Sequence, residues 1–317
     1  MSDLGRVLVL AGGLSYEREV SLRSGRRVCE ELRTTGVEVE MRDADADLVP
    51  YVLADPPDAV FVTLHGVSGE DGAIREVLEL LDVPYVGAGP DACRVAFDKP
   101  TAKAVVRGVG LSTPESITLP KETFHDLGAA AVLSRIVARL GLPLFVKPSR
   151  GGSALGASVV RTAEELPAAM VGCFAYGDTA LIEQYVDGVE VAVSVIDLGD
   201  GPKALPPVEI VPDGGAYDYA ARYTAGRTEF FAPARLSPEA AAACAEMAVT
   251  AHQALGLRDI SRTDLIVDSA GQPRFLEVNV APGMTETSLL PMAVEAAGHN
   301  LAGLCLGLLE SAIRRLN

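Results

Sequence analysis

The first third of the chain alternates apolar strands with helices, and no other feature limits the fold as tightly. "RVLVLAGG" (6–13) reads as a buried strand ending in glycines, and "SLRSGRRVCEELRTTG" as a helix stopped by Gly36. "DAVFVTLHG" is another strand, "AIREVLELLD" a helix and "VPYVGAG" a third strand. This β-α-β rhythm implies a parallel sheet, with loops gathered at the strand carboxyl ends where ligands usually bind.

Beyond residue 98 the pattern changes. "DKPTAKAVVRGVG" is helical and leads through "LSTPES" into "PLFVKPSRGGSALGASVVR", which reads as strand, glycine loop, strand. A helix, "AEELPAAMVGCFAYG", and the strand "TALIEQYV" follow. The last third carries the long strands "GVEVAVSVIDLG" and "KALPPVEIVP", then a polar, glycine-bearing stretch over 213–233 that is expected to be a mobile loop. An Ala-rich helix opened by Ser237 and Pro238 comes next, then a hairpin, and helix closes the chain.

Composition narrows the classes of function. A chain of 317 residues with 49% apolar and 22% charged residues is globular, long enough for two or three cores. Its 43 acidic and 27 basic residues give a net charge of −16, which argues against nucleic acid or an anionic membrane as the main partner. Cys29, Cys93, Cys173, Cys244 and Cys305 show no pairing pattern and read as reduced, packed thiols in a cytoplasmic protein. No secretion signal or membrane span is expected, since Arg135, Arg139 and Glu310 interrupt the most apolar stretches.

Four local patterns carry chemistry. In "RTDLIVDSAGQPRFLEVN", a turn centred on Ala270 and Gly271 places Asp264 opposite Glu277 and Arg262 opposite Asn279, all on one face. Leu265, Val267, Leu276 and Val278 then share the other face. Opposed carboxylates repel unless a cation lies between them. Oxygen-only donors suit Mg²⁺ rather than zinc, and a surface salt bridge from Arg262 is the bland alternative.

"VKPSRGGSALG" is not a Walker loop, because no helix opens after a Gly-Lys-Ser/Thr. Its backbone N–H groups can still fold over phosphates, or it is an ordinary glycine-rich hairpin. His65, in "TLHGVSGEDG", is either ligand-facing or simply packed. Glu17, in "AGGLSYEREVSL", precedes a helix start, where an acid favours the helix dipole with or without a ligand.

Taken in order, these stretches resemble the D-alanine–D-alanine ligases of the ATP-grasp superfamily. The matching segments run from "GGLSYEREVSL" through "HGVSGEDG", "FDK", "FVKPSRGGSALG", "LIEQYVDGVE" and "YDYAARY" to "RTDLIVDSAGQPRFLEVN" and "PGMTETSLLP". The resemblance implies an α/β chain with the ATP-grasp fold in three domains. These are an N-terminal parallel βαβ domain over 1–98, a central domain over 99–186 and a C-terminal domain over 187–317.

It also implies the reaction. Two D-alanines are joined at the expense of ATP, through an acyl phosphate, for peptidoglycan synthesis. By similarity, Lys99 and Lys147 reach the ATP phosphates. The backbone of Glu183, Gln184, Tyr185 and Val186 holds adenine, with Glu183 reading its amino group and Glu190 the ribose, while Arg222 makes a further phosphate contact. Asp264, Glu277 and Asn279 coordinate two Mg²⁺ ions, for which Mn²⁺ can substitute. Arg262 and the Gly283 N–H stabilise the oxyanion. Glu17 holds the ammonium of the first D-alanine beside His65, and Ser288 holds the carboxylate of the second. Tyr223, Ser153 and Glu17 form a hydrogen-bonded bridge over both. D-alanine and ATP are the expected partners, and a homodimer the expected assembly.

The chain departs from the family pattern in places. Arg222 replaces a common Lys, Ala154 a serine in the glycine loop, and Arg75 and Glu76 a Gln-Gly pair. None is an implied metal or substrate ligand, although Arg222 alters the phosphate contact. The second substrate is therefore open, with a ligase of the same type acting on D-serine or another D-amino acid in a specialised pathway as the alternative. A dinucleotide oxidoreductase is disfavoured because "AGGLSYER" lacks GxGxxG. A catalytically dead relative is disfavoured by Arg262, Asp264, Glu277 and Asn279.

Overall fold

The computed structural model describes residues 4–213 and 226–315. Its first sheet holds β1 (Arg6–Leu10), β2 (Glu38–Arg42), β3 (Ala59–Val62) and β4 (Tyr85–Val86), all parallel, in the order β2-β1-β3-β4. Side chains alternate across a strand, so one apolar run feeds two cores. Val7, Val9 and Phe61 pack with the helices Arg18–Thr34 and Leu301–Arg314, whereas Leu8, Leu10 and Val60 pack toward Leu48 and Leu78. Both faces are covered, as an all-parallel sheet requires. Strand β2 was not foreseen. It sits at the sheet edge, and its charged Glu38, Glu40 and Arg42 resemble loop sequence.

The second sheet is antiparallel, in the order β5-β8-β6-β7, from β5 (Ser116–Pro120), β6 (Leu144–Pro148), β7 (Ser158–Val160) and β8 (Thr179–Gln184). Val146 and Ile182 point into a core shared with Phe124, Ile136 and Met170. Period-two alternation sends Phe145, Lys147 and Glu183 to the opposite face, where they line a cleft. Strand β5 and the helices Lys121–Leu127 and Ala129–Leu140 also escaped the sequence reading.

The third sheet contains β9 (Val189–Ile196), β10 (Lys203–Ala204), β11 (Val208–Pro212), β12 (Thr228–Phe231), β13 (Ile260–Val267) and β14 (Pro273–Asn279). Its order is β12-β11-β9-β13-β14, with β10 beside β9. Helix Pro238–Ala254 packs beneath it, and so does helix Lys99–Gly108 through Ala102 and Val106.

The β13–β14 hairpin departs from the expected register at one end. Arg262 faces Asn279 and Asp264 faces Glu277 as expected, but beyond a bulge Leu265 faces Phe275 and Val267 faces Pro273. The cause lies at the turn. Gly271 N donates to Asp268 O and Asp268 N to Gln272 O, so the loop is three residues long, with Gly271 at φ +73°. A three-residue loop of this kind shifts the pairing by one, and the bulge restores it. Phe275 therefore enters the core, and Leu276 turns to the cleft rather than to the core face.

Among the described residues no single helix is long and apolar enough to cross a membrane. The apolar pair Leu289–Ala296 and Leu301–Arg314 bends by 104° at its break, and both helices pack into the core.

Candidate active site

Two clefts meet where the three sheets converge. The larger, about 490 Å³, lies between the second and third sheets. Phe145, Val159, Val211, Ile266 and Leu276 give it apolar walls, and Lys99, Lys147, Glu183 and Glu190 give it charge. Such a volume suits a small-molecule ligand. The smaller, about 100 Å³, is lined by Glu17, His65, Glu70, Ser153, Arg262, Asn279, Gly283 and Ser288 among others. Lys99, Gly151, Gly152 and Glu277 border both clefts.

Cations organise the junction. Lys99 opens helix Lys99–Gly108, whose N-cap Asp98 accepts from Thr101 N at 3.1 Å. Its Nζ donates to Gly151 O at 2.6 Å and lies 3.7 Å from Glu277. Lys147 Nζ lies 2.8 Å from Glu183 and 3.8 Å from Glu277. Burial opposes the charge on Lys147, but Glu183 and Glu277 outweigh it and hold its pKa above the usual lysine value. Burial likewise opposes ionisation of Glu183, yet Lys147 and Lys103 hold its carboxyl below the usual range. Lys103 was missed by the sequence reading. It sits one turn after Lys99 on the same helix, pairs with Glu183 and is 1% exposed. The i, i+4 spacing in "KPTAK" was the available signal.

On the hairpin, Arg262 grips Asp264 through two hydrogen bonds, Nε to Oδ1 at 2.7 Å and an Nη to Oδ2 at 2.8 Å. Both residues are buried, so this is not the solvated surface pair of the bland alternative. The opposed carboxylates are thus separated by their own cations, Arg262 on Asp264 and two lysines on Glu277. Asn279 Oδ1 accepts from Ala281 N at 2.8 Å.

The smaller cleft joins loops distant in sequence. Glu17 stands at the N-cap position of helix Arg18–Thr34 without a side-chain capping bond and is 6% exposed, and Ser153 Oγ donates to its Oε1 at 3.1 Å. Two glycines make room for that carboxylate. A Cβ on Gly66 would sit 2.3 Å from Oε2, and one on Gly152 2.6 Å from Oε1. Ser153 and Ala154 both hold φ of +55°, a left-handed conformation uncommon outside glycine, which fixes the serine toward Glu17.

His65 is at once packed and pocket-lining. Its Nε2 lies 3.1 Å from Ser24 Oγ, which in turn accepts from Met284 N at 3.1 Å. Burial drops its pKa to about 4, so the ring is neutral near pH 7. Glu70 was not singled out from the sequence. It accepts from Gly66 N at 2.8 Å, and burial, with Glu17 nearby, lifts its pKa to about 7. Ser288 Oγ accepts from Thr285 N at 3.0 Å and lies 2.8 Å from Thr285 Oγ1, and all three of Gly283, Thr285 and Ser288 line the cleft.

Of the adenine-side residues, Glu183, Gln184, Tyr185, Val186 and Glu190 all line the larger cleft. The Gln184 side-chain amide donates to Leu140 O at 2.9 Å, a structural contact that leaves its backbone on the cleft. Glu209, also missed, lines the same cleft and is held by Arg235 in a two-point pair at 2.9 and 2.6 Å. Arg222 and Tyr223 lie outside the described residues.

Two clefts sharing a lysine-rich junction between antiparallel sheets define a nucleotide-using enzyme of the ATP-grasp fold, and comparison with known proteins agrees. Residues 105–310 match the family model for the D-ala D-ala ligase C-terminus. The chain is 40% identical over 310 residues to the D-alanine–D-alanine ligase of Nitrosospira multiformis, covering 98% of this chain and 97% of that one. Among solved structures it is similar to the VanG D-Ala:D-Ser ligase of Enterococcus faecalis (TM-score 0.83, 28% identity, 98% of this chain and 100% of that one). It is similar also to the ATP complex of the Bacillus anthracis D-alanine–D-alanine ligase (TM-score 0.79, 27% identity, 98% of each chain). The chain belongs to the D-alanine–D-alanine ligase family.

Proposed function

We propose that this enzyme ligates two D-alanines with ATP and Mg²⁺, through an acyl phosphate, for cell-wall synthesis. One observation carries the reading. The nucleotide-sized cleft and the small polar cleft share Lys99, Gly151, Gly152 and Glu277, so a phosphate at that junction faces an acceptor bound beside Glu17. Adenine would lie against Phe145 and Leu276, along the Glu183–Val186 segment with Glu183 at its amino group, and Glu190 would hold the ribose. Lys99 and Lys147 would meet the phosphates, with Arg222 as a further contact.

The donor set fits hard cations. The Asp264 and Glu277 carboxylates and the Asn279 amide oxygen would bind through oxygen, Asp264 by sharing an oxygen now held by Arg262, and Mg²⁺ typically completes such a set with phosphate and water. Bound there, two ions would neutralise charge on the transferred phosphoryl group; Mn²⁺ would serve similarly.

In the smaller cleft Glu17 would hold the first ammonium beside neutral His65, and Ser288 the second carboxylate. Arg262 and the Gly283 N–H would face the developing oxyanion. Ser153 and Tyr223 would close the site with Glu17. The three sheets support units at 1–98, 99–186 and 187–317, with helix Lys99–Gly108 leaning on the third sheet. Five buried, free cysteines support a reducing, cytoplasmic setting. A homodimer, the assembly expected from the sequence, belongs to the same proposal.

D-serine as second substrate is the alternative, favoured by the similarity to the VanG ligase. Phosphate release from ATP and Mg²⁺ with each D- and L-amino acid tests the proposal. Release that requires D-alanine, with a dipeptide product, supports it; equal turnover with L-alanine, or none with any amino acid, contradicts it.

A further inference from the structure

A buried chain of charge runs from the wall of the larger cleft to a lysine behind it. Lys103 is 1% exposed and pairs with Glu183 Oε2; Glu183, 2% exposed, uses its other oxygen on Lys147 at 2.8 Å. Glu183 and Lys147 line the cleft, and Lys103 stands behind them on helix Lys99–Gly108. Lys147 is also drawn toward Glu277, 3.8 Å away. A single lysine would therefore divide itself between two carboxylates. Lys103 gives Glu183 a cation of its own, so the carboxylate stays fixed and Lys147 stays available to the phosphate side.

We propose that Lys103 is a positioning residue for base selectivity: by holding Glu183 Oε2, it keeps that carboxylate ionised and aligned as an acceptor, so that the cleft favours a 6-amino purine over a 6-oxo purine. The inference rests on the reading that Glu183 faces the adenine amino group. An ionised carboxylate has no proton to donate. It accepts from an exocyclic amine and repels the lone pairs of a 6-oxo group. Without the Lys103 charge, a carboxylate this deeply buried takes a proton or swings onto Lys147. Protonated, it donates to a 6-oxo group, and selectivity falls. Loss of the Lys147 position would weaken every nucleotide alike, which separates the two effects.

The test compares ATP with inosine triphosphate, which carries a 6-oxo group and an N1–H where ATP has a 6-amino group and a bare N1, at saturating D-alanine. In the wild type, kcat/KM should favour ATP strongly. Lys103→Met should raise KM for ATP at least about tenfold and cut the ATP-to-inosine-triphosphate ratio of kcat/KM by a similar factor, and Lys103→Arg should restore most of the ratio. Should Lys103→Met fail to fold, Lys103→Gln takes its place. Its polar side chain suits the buried site but brings Glu183 no charge, and the ratio should fall in the same way. An unchanged ratio in whichever variant folds, even with weaker ATP binding or a lower Tm, overturns the inference while leaving the ligase reading intact. A wild type that releases no phosphate from ATP and D-alanine overturns both.

Discussion

Ser153 and Glu17 stand 136 residues apart in sequence, yet Ser153 Oγ donates to Glu17 Oε1 at 3.1 Å. The contact joins the glycine loop between β6 and β7 to the loop after β1, closing one side of the smaller cleft. Glu17 is buried and Ser153 half-buried, so a lost hydrogen bond costs about 1–3 kcal/mol. Ser153→Ala should therefore raise KM for D-alanine or lower kcat by about 5- to 150-fold, with ATP affinity little changed. Steady-state kinetics with each substrate varied in turn checks this; a variant equal to wild type would show that the bridge only packs.

Space around the Glu17 carboxylate provides a second prediction. A Cβ at Gly152 would sit 2.6 Å from Glu17 Oε1, closer than real contacts allow, so Gly152→Ala must push the carboxylate aside. Gly172, in helix Leu166–Phe174, has nothing within 4 Å of its would-be Cβ. Gly152→Ala should lose D-alanine binding while the protein stays folded. Gly172→Ala should keep activity and gain about 0.4–1 kcal/mol of stability from its stiffer unfolded chain. Isothermal titration and thermal melts of both variants make the comparison.

The buried Arg262–Asp264 pair leads to a third. Asp264→Asn weakens the two-point grip on Arg262 and removes a charge facing Glu277 across the hairpin. Turnover should fall by at least about a hundredfold, the scale of removing preorganised charge stabilisation. Glu277→Gln should do the same, because it frees both lysines from their shared partner. Near-normal turnover in both variants at saturating Mg²⁺ would mean that these acids serve the fold alone.

Glu70 should make stability fall as pH rises. Its folded pKa is about 7 against an ordinary 4.5, because burial, then Glu17, disfavours the charged form. Between these values the native state binds more protons than the unfolded state, so stability is lost as pH climbs through the window. The limit is on the order of 3 kcal/mol. Replacing the acid with an amide removes this dependence. Glu70→Gln should thus gain on wild type between pH 5 and pH 8 in urea-unfolding free energy. His65, with its folded pKa near 4, pulls the other way below pH 6.5, but it is common to both proteins and cancels in the difference. A pH-independent difference would mean that Glu70 is solvated.

Much of the site was legible because its residues sit where strand period or a glycine run fixes them. Asp264 and Glu277 follow from alternation, and Lys147 from its place at a strand end before "PSRGG". What escaped depended on long-range contact. Leu276 and Phe275 exchanged faces because a one-residue bulge cancels the turn's offset, and no local composition marks it. Lys103 and Glu70 look like ordinary helix residues until burial and a distant partner give them their role, Glu183 for one and Gly66 with Glu17 for the other. Strand β2 was hidden because an edge strand is allowed to be charged.

The proposed function makes one chemical claim above all: the first D-alanine attacks the γ-phosphate with its own carboxylate. D-alanine labelled with oxygen-18 in the carboxyl group, incubated with enzyme, ATP and Mg²⁺, reports on this directly. An acyl phosphate breaks at the carbon when the second amine arrives, so the carboxylate oxygen leaves with phosphorus. Mass analysis should find one oxygen-18 in each phosphate released and one fewer in the dipeptide. Unlabelled phosphate formed alongside dipeptide would contradict the claim, because ATP cleavage would then be separate from activation of the carboxylate.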